Sequence, residues 1–143
     1  MRRILIINGP NLNLTGRREP EIYGTRTMDD IIAETRRAFD GRAEIEYFQS
    51  NCEGAIIDRL HAAGSGAVDG IVLNAGAYTH TSLAIADAIA AIEAPVVEVH
   101  LSQVAAREPI RRQSLIGAAC RGTITGFGPA VYRLACDALL TSA

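Results

Sequence analysis

The chain has 143 residues, of which 48% are hydrophobic and 21% charged, values suited to a single globular domain with a real core. Its formal net charge of −2 argues against nucleic acid as the main partner, and no apolar run reaches the ~18 residues of a membrane span. All 14 basic residues are arginine, which excludes a catalytic lysine Schiff base, a P-loop lysine and a PLP cofactor held on lysine.

Taken in chain order, "MRRILIINGPN" has too short an apolar stretch for a signal-peptide core. Its "ILIIN" portion reads instead as a buried parallel strand. An irregular segment to about Thr27 follows. "MDDIIAETRRAFDG" is predicted to be a helix, with Thr27 as N-cap, Asp29 and Asp30 in the first turn and Gly41 after the end. "AEIEYF" alternates as a second strand. "EGAIIDRLHAAG" is a helix with Ile56, Ile57 and Leu60 on one face. "GIVLNAG" is a third, buried strand. "TSLAIADAIAAIEA" is an alanine-rich helix stopped by Pro95, and "PVVEVH" is a fourth strand. A polar segment leads to a short fifth strand, "TITGFG", and a closing helix, "PAVYRLACDALL", with Pro129 near its first turn. Strand and helix alternate throughout, so the expectation is an α/β, flavodoxin-like three-layer sandwich. Its five-stranded parallel sheet would have the order 2-1-3-4-5, in one domain over residues 1–143. Cys52, Cys120 and Cys136 are widely spaced and form no CxxC, which fits plain structural cysteines in a reduced, cytoplasmic setting.

Parallel sheets bind ligands beyond the carboxyl ends of their strands. The residues expected there are Asn8 and Asn11 after the first strand, Asn74 and His80 after the third, and Glu98 and His100 in the fourth. The turn after the first strand, "NGPNLN", suits neither a flavin phosphate nor a receiver-type acidic cluster, and "GFGPAV" lacks the third glycine of a dinucleotide fingerprint. No Gly-x-Ser-x-Gly elbow is present. His61, His80 and His100 have no metal-ligand spacing, so no metal is expected. What remains is acid–base chemistry. Glu98 and His100 alternate on one strand face. A carboxylate beside an imidazole favours the charged imidazolium, which suits a proton donor near pH 7. The blander reading is a buried acid satisfied by any neighbouring donor.

Three further sets of residues have open readings. His80 and Asp87 fall on nearly one face across the start of the third helix. Asp87 reads either as a solvent-facing acid or as an acid buried at a subunit contact. Arg107 and Arg111 would share one face of a helical turn and suit a carboxylate, or they are solvated surface residues. The backbone N–H groups of Leu101 and Ser102 are candidate anion donors. Tyr23, in "GRREPEIYG", sits among charges and glycines rather than in an apolar run. A free tyrosine has a pKa of about 10. One arginine at about 5 Å contributes roughly 3 kcal/mol toward the phenolate at an effective dielectric of about 20. Arg18 is near enough in sequence to make Tyr23 a candidate base, against the alternative of an ordinary surface tyrosine.

Together "NGPNLNLTGRREPEIYG", "LNAGAYTHTS", "EVHLS" and "AREPIRRQS" resemble the type II 3-dehydroquinate dehydratases, in the same order and over nearly the whole chain. The resemblance implies dehydration of 3-dehydroquinate to 3-dehydroshikimate, in the shikimate pathway or in quinate breakdown. The route is an anti elimination through an enolate, without cofactor. It implies that Tyr23 removes the C2 proton with support from Arg18, that Asn11 stabilises the enolate oxygen through a water, and that His100, oriented by Glu98, protonates the departing hydroxyl. Asn74, His80 and Asp87 match substrate-binding positions, with Asp87 reaching a neighbouring subunit's site. Arg111, Leu101 and Ser102 match contacts to ring hydroxyls and carboxylate, and Arg107 is a candidate second cation beside Tyr23. The implied fold is flavodoxin-like and the implied assembly a dodecamer of four trimers. Cys52, Ala86, Gln103, Ala105 and Pro109 depart from the family's commoner residues. These positions bear on rate, lid and packing rather than on reaction class. Two other classes would be told apart by experiment: a redox or nucleotide protein by bound flavin or tight nucleotide binding, and a non-catalytic binding module by binding without turnover.

Overall fold

The computed structural model describes residues 1–17, 21 and 25–142. Five strands form one parallel sheet of order 2-1-3-4-5, as expected: β1 (Arg2–Asn8), β2 (Ala43–Gln49), β3 (Gly70–Asn74), β4 (Val96–His100) and β5 (Gly122–Thr125). Among the described residues four α-helices connect or follow them: α1 (Met28–Ala38), α2 (Glu53–Gly64), α3 (Leu83–Ala91) and α4 (Ala130–Thr141).

Alternation along the central strands sorts the core into two layers. Ile4 and Ile6 of β1, Val72 of β3 and Val97 and Val99 of β4 join Ile31 and Ile32 of α1 and Tyr132, Ala135 and Leu139 of α4 on one side. Leu5, Ile7, Ile71, Leu73 and Val96 face the other way, against Ile56 and Leu60 of α2 and Ile85 and Ile89 of α3. The stretches buried on both faces are therefore mainly apolar, with Glu98 inside β4 the exception, and they end in polar residues. Those last residues are Asn8, Asn74 and His100, all buried polar groups. Such groups must find partners, so the sheet's carboxyl edge is where polar contacts collect.

The helix ends follow their local chemistry. Thr27 caps α1 with a reciprocal box: its side chain accepts from Asp30 N–H while the Asp30 carboxylate accepts from Thr27 N–H. Ser82 caps α3 by accepting from Ile85 N–H. This helix is shorter than the predicted run to Ala94. Ile92 leaves it in extended conformation and packs onto Gly64, where an added Cβ would lie 2.4 Å from the Ile92 Cβ. Glu93 and Ala94 N–H then donate to the Gly64 carbonyl. The fifth strand also ends early, because Gly126 and Gly128 take positive φ values of 95° and 60°. The polar segment between β4 and β5 is built from short 3₁₀ turns at Val104–Ala106, Pro109–Arg111 and Gly117–Ala119. Cys52 is exposed, Cys120 half-buried and Cys136 buried, and all three are free thiols. Burial and the nearby Glu98 carboxylate push the Cys120 thiol up to about 12. No helix among the described residues is long and apolar enough to cross a membrane.

Candidate active site

A cleft opens at the carboxyl edge of the sheet. Asn11, Asn74, His80, His100, Leu101, Ser102, Arg107 and Arg111 all line it. They come from the ends of β3 and β4 and from the turns after β1, β3 and β4, as the switch between neighbouring strands β1 and β3 requires.

Glu98 and His100 form a buried pair at the cleft wall, at 1% and 6% exposure. His100 Nε2 lies 2.5 Å from Glu98 Oε2. The other carboxylate oxygen accepts from the Ser114 hydroxyl at 3.1 Å and from the Thr123 hydroxyl at 3.2 Å. The backbone N–H of Gly117 donates to Ser114 Oγ at 3.0 Å, so the serine's own proton is directed at the carboxylate. Burial pushes the Glu98 carboxyl up. The hydrogen bond and charge of His100, with the Ser114 and Thr123 hydroxyls, more than offset this and hold it below the usual glutamate range. An ionised Glu98 can only accept, so His100 Nε2–H is the donor of the pair.

His80 stands in the Gly76–His80 turn after β3. Its Nδ1–H donates to the Gln113 carbonyl at 2.7 Å, and its ring stacks on His100 at 6.3 Å between centroids and 24° between planes. Asn74 donates from Nδ2 to the Tyr132 hydroxyl at 3.2 Å and accepts from Gly76 N–H at 3.2 Å. Asn11 has φ 68° and ψ −3°. It is the described non-glycine residue in the left-handed region, where asparagine is tolerated better than most residues. Its backbone N–H donates to Asn51 Oδ1 at 3.0 Å. Ser102 accepts from Arg107 at 3.1 Å, and Arg111 Nε pairs with Glu108 at 2.8 Å. Two guanidiniums thus border a cleft whose other polar lining is neutral or histidine, an arrangement suited to an anionic, hydroxyl-rich ligand.

Two local expectations are corrected. Arg107 and Arg111 do not share a helical turn. Arg107 is extended at φ −85°, ψ 179° and Glu108 follows at φ −59°, ψ 153°, because Pro109 disfavours the helical region for the residue before it. They reach the cleft from separate short turns. His80 and Asp87 are not on a common helix face either: His80 precedes α3, which begins at Leu83. Asp87 is exposed on α3 and stands apart from the cleft of its own chain. Tyr23 and Arg18 lie outside the described residues. Ser114, Thr123 and Tyr132 belong to the site's hydrogen-bond network and were not singled out from sequence. Ser114 ends the quoted "AREPIRRQS", and Tyr132 is a hydroxyl in an apolar helix, which calls for a buried partner. Thr123 carries no sequence signal; it is placed by its register opposite Glu98. Among the described residues no group of three or more His, Cys, Asp or Glu side chains comes together as a metal site would require.

The family model described as "Dehydroquinase class II" matches residues 2–140. A 3-dehydroquinate dehydratase of Exiguobacterium sp. is 54% identical over 138 residues, covering 96% of this chain and 94% of that protein. Among solved structures, the type II dehydroquinase of Butyrivibrio crossotus superposes with a TM-score of 0.94 at 44% identity, covering 96% of this chain and 97% of its own. The type II dehydroquinase of Propionibacterium acnes superposes with a TM-score of 0.95 at 40% identity, over 99% of this chain and 98% of its own. With the fold, the cleft and the matched span agreeing, this chain belongs to the class II dehydroquinase family.

Proposed function

We propose that this chain is a hydro-lyase that dehydrates 3-dehydroquinate to 3-dehydroshikimate, as one flavodoxin-like catalytic domain that needs no cofactor. The observation that carries the reading is the buried Glu98–His100 pair at the wall of a cleft bordered by Arg107 and Arg111. The substrate is a β-hydroxy ketone with a carboxylate, and the reaction needs one proton removed and one delivered.

In this reading the Tyr23 phenolate, supported by Arg18, takes the C2 proton. The electron pair moves onto the ketone oxygen to give an enolate, which Asn11 stabilises through a water. The enolate then collapses, the C–O bond of the β-hydroxyl breaks, and His100 supplies the proton that makes water the leaving group. Glu98 holds His100 in orientation. Nε2–H is committed to Glu98, so the proton transferred is the one on Nδ1. Arg111 and the Leu101–Ser102 segment take the carboxylate and ring hydroxyls, and Asn74 and His80 hold the rest of the ring. Asp87 reaches a neighbouring subunit's cleft in a dodecamer of four trimers. The setting is cytoplasmic, in aromatic biosynthesis or in quinate breakdown.

The test uses 3-dehydroquinate labelled stereospecifically with deuterium at C2. Anti elimination predicts loss of the label only from the epimer that carries it anti to the departing hydroxyl. His100→Ala should still exchange the C2 hydrogen with solvent while forming little product. Equal loss of label from both epimers contradicts the assigned geometry.

A further inference from the structure

Tyr132 sits in α4, wholly buried at 0% exposure, and its hydroxyl reaches the carboxyl edge of the sheet from beneath. That hydroxyl has one proton, which it gives to Asn8 Oδ1 at 2.8 Å. Toward Asn74 it is therefore an acceptor, and the Asn74 atom facing it at 3.2 Å must be the amide nitrogen. At the other end of the same amide, the backbone N–H of Gly76 lies 3.2 Å from Asn74 Oδ1. A backbone N–H can only donate, so the two contacts independently require the same orientation. A flipped amide would set oxygen against the tyrosine oxygen and NH₂ against an N–H. Asn8 is held in the same manner, with Oδ1 taking the Tyr132 proton and Nδ2 donating to the Tyr47 hydroxyl at 3.3 Å. Asn8 and Asn74 are register partners across β1 and β3. Both are nearly inaccessible, at 0% and 3%, so solvent does not substitute for a lost partner.

We propose that Tyr132 and Asn8 are positioning residues that lock the Asn74 amide in one orientation. Asn74 then meets the ligand with one N–H and one oxygen lone pair in fixed places on the cleft wall. Tyr132 thereby sets affinity for the hydroxylated ring without touching it. The inference rests on the proposed reading of Asn74 as a substrate-binding residue.

The test is a double-mutant cycle between Tyr132→Phe and Asn74→Ala, read as KM and kcat with 3-dehydroquinate. It is read in parallel as the calorimetric Kd for 3-dehydroquinate in a Tyr23→Phe background, where turnover is suppressed. Tyr132→Phe keeps the ring and removes only the hydroxyl. It should raise KM and Kd about tenfold, the order expected when a buried polar group loses its partner, with kcat changed by less than about threefold. In the Asn74→Ala background the same change should add less than about twofold, because the effect travels through Asn74. Asn8→Ala should behave in the same way and serves if Tyr132→Phe does not fold. An equal fold-change in both backgrounds, or an unchanged KM with Tyr132→Phe, overturns the proposal. Absent turnover by the wild type alongside a non-additive Kd cycle would overturn the dehydratase reading and leave the positioning role standing. No binding of 3-dehydroquinate by any variant would overturn both.

Discussion

At the residue scale two kinds of group share the proposed proton transfers. His100 is a buried imidazole whose partner is visible, 2.5 Å away. Tyr23 is assigned from its place among Arg17, Arg18 and Glu19 and from the family resemblance. Replacing Tyr23 by Phe removes the hydroxyl alone and should lower kcat by about 10²–10⁴, the usual range for loss of a general base, while the thermal midpoint stays within a few degrees. Near-wild-type kcat in Tyr23→Phe would move the base elsewhere. Glu98 gives a separate prediction on stability. Its carboxyl is held below the ordinary value of 4.5 in the folded chain. Below 4.5 the unfolded chain binds the proton before the folded chain does, so this contribution is complete above that pH and is lost as pH falls through the folded value. Denaturant titrations of wild type and Glu98→Gln should therefore show a gap in unfolding free energy that is widest well above 4.5 and narrows as pH drops below it. A gap independent of pH would mean that Glu98 is not held ionised by its partners.

At the element scale, what was legible in the sequence and what was not have a common physical origin. Strands and helices were readable because their apolar periods are set by the sheet: Ile4 and Ile6 face one layer, Leu5 and Ile7 the other. Thr27 and Asp30 announced the start of α1 through capping chemistry that acts over three residues. The residues from Leu101 to Arg121 have no such period. There the placement of Arg107 and Arg111 was misread as one helical turn, although Pro109 carried the contrary signal at Glu108. Ser114 and Thr123 were missed for another reason. They serve Glu98 across long sequence separations, and a hydroxyl's partner at that range is decided by tertiary packing rather than by local pattern. A close backbone approach between β1 and β3 yields its own prediction. Gly9 N–H donates to the Asn74 carbonyl at 2.7 Å, and a Cβ on Gly9 would lie 2.6 Å from the Ala75 carbonyl oxygen. Backbone cannot yield as a side chain does, so Gly9→Ala should destabilise by about 1–3 kcal/mol and raise KM by displacing Asn74. Thermal unfolding with steady-state kinetics checks both, and an unchanged midpoint would refute the close approach.

At the scale of the whole molecule, the cleft of one chain holds most of the residues assigned to substrate but not Asp87. That acid is exposed on α3, the helix that also leaves Leu83 67% exposed. If Asp87 completes a neighbouring cleft, assembly and substrate binding are linked. Light scattering should give a mass about twelve times that of the 15.2 kDa chain, and Asp87→Ala should raise KM without altering the fold. A monomer with full activity would contradict that linkage. The most direct measurement for the account as a whole is the ultraviolet time course of conjugated enone formation when purified wild-type protein meets 3-dehydroquinate. The account predicts a rate proportional to enzyme, with no added metal or cofactor, that collapses in His100→Ala while the circular dichroism spectrum is unchanged. A folded wild-type protein that binds 3-dehydroquinate and forms no enone would contradict it.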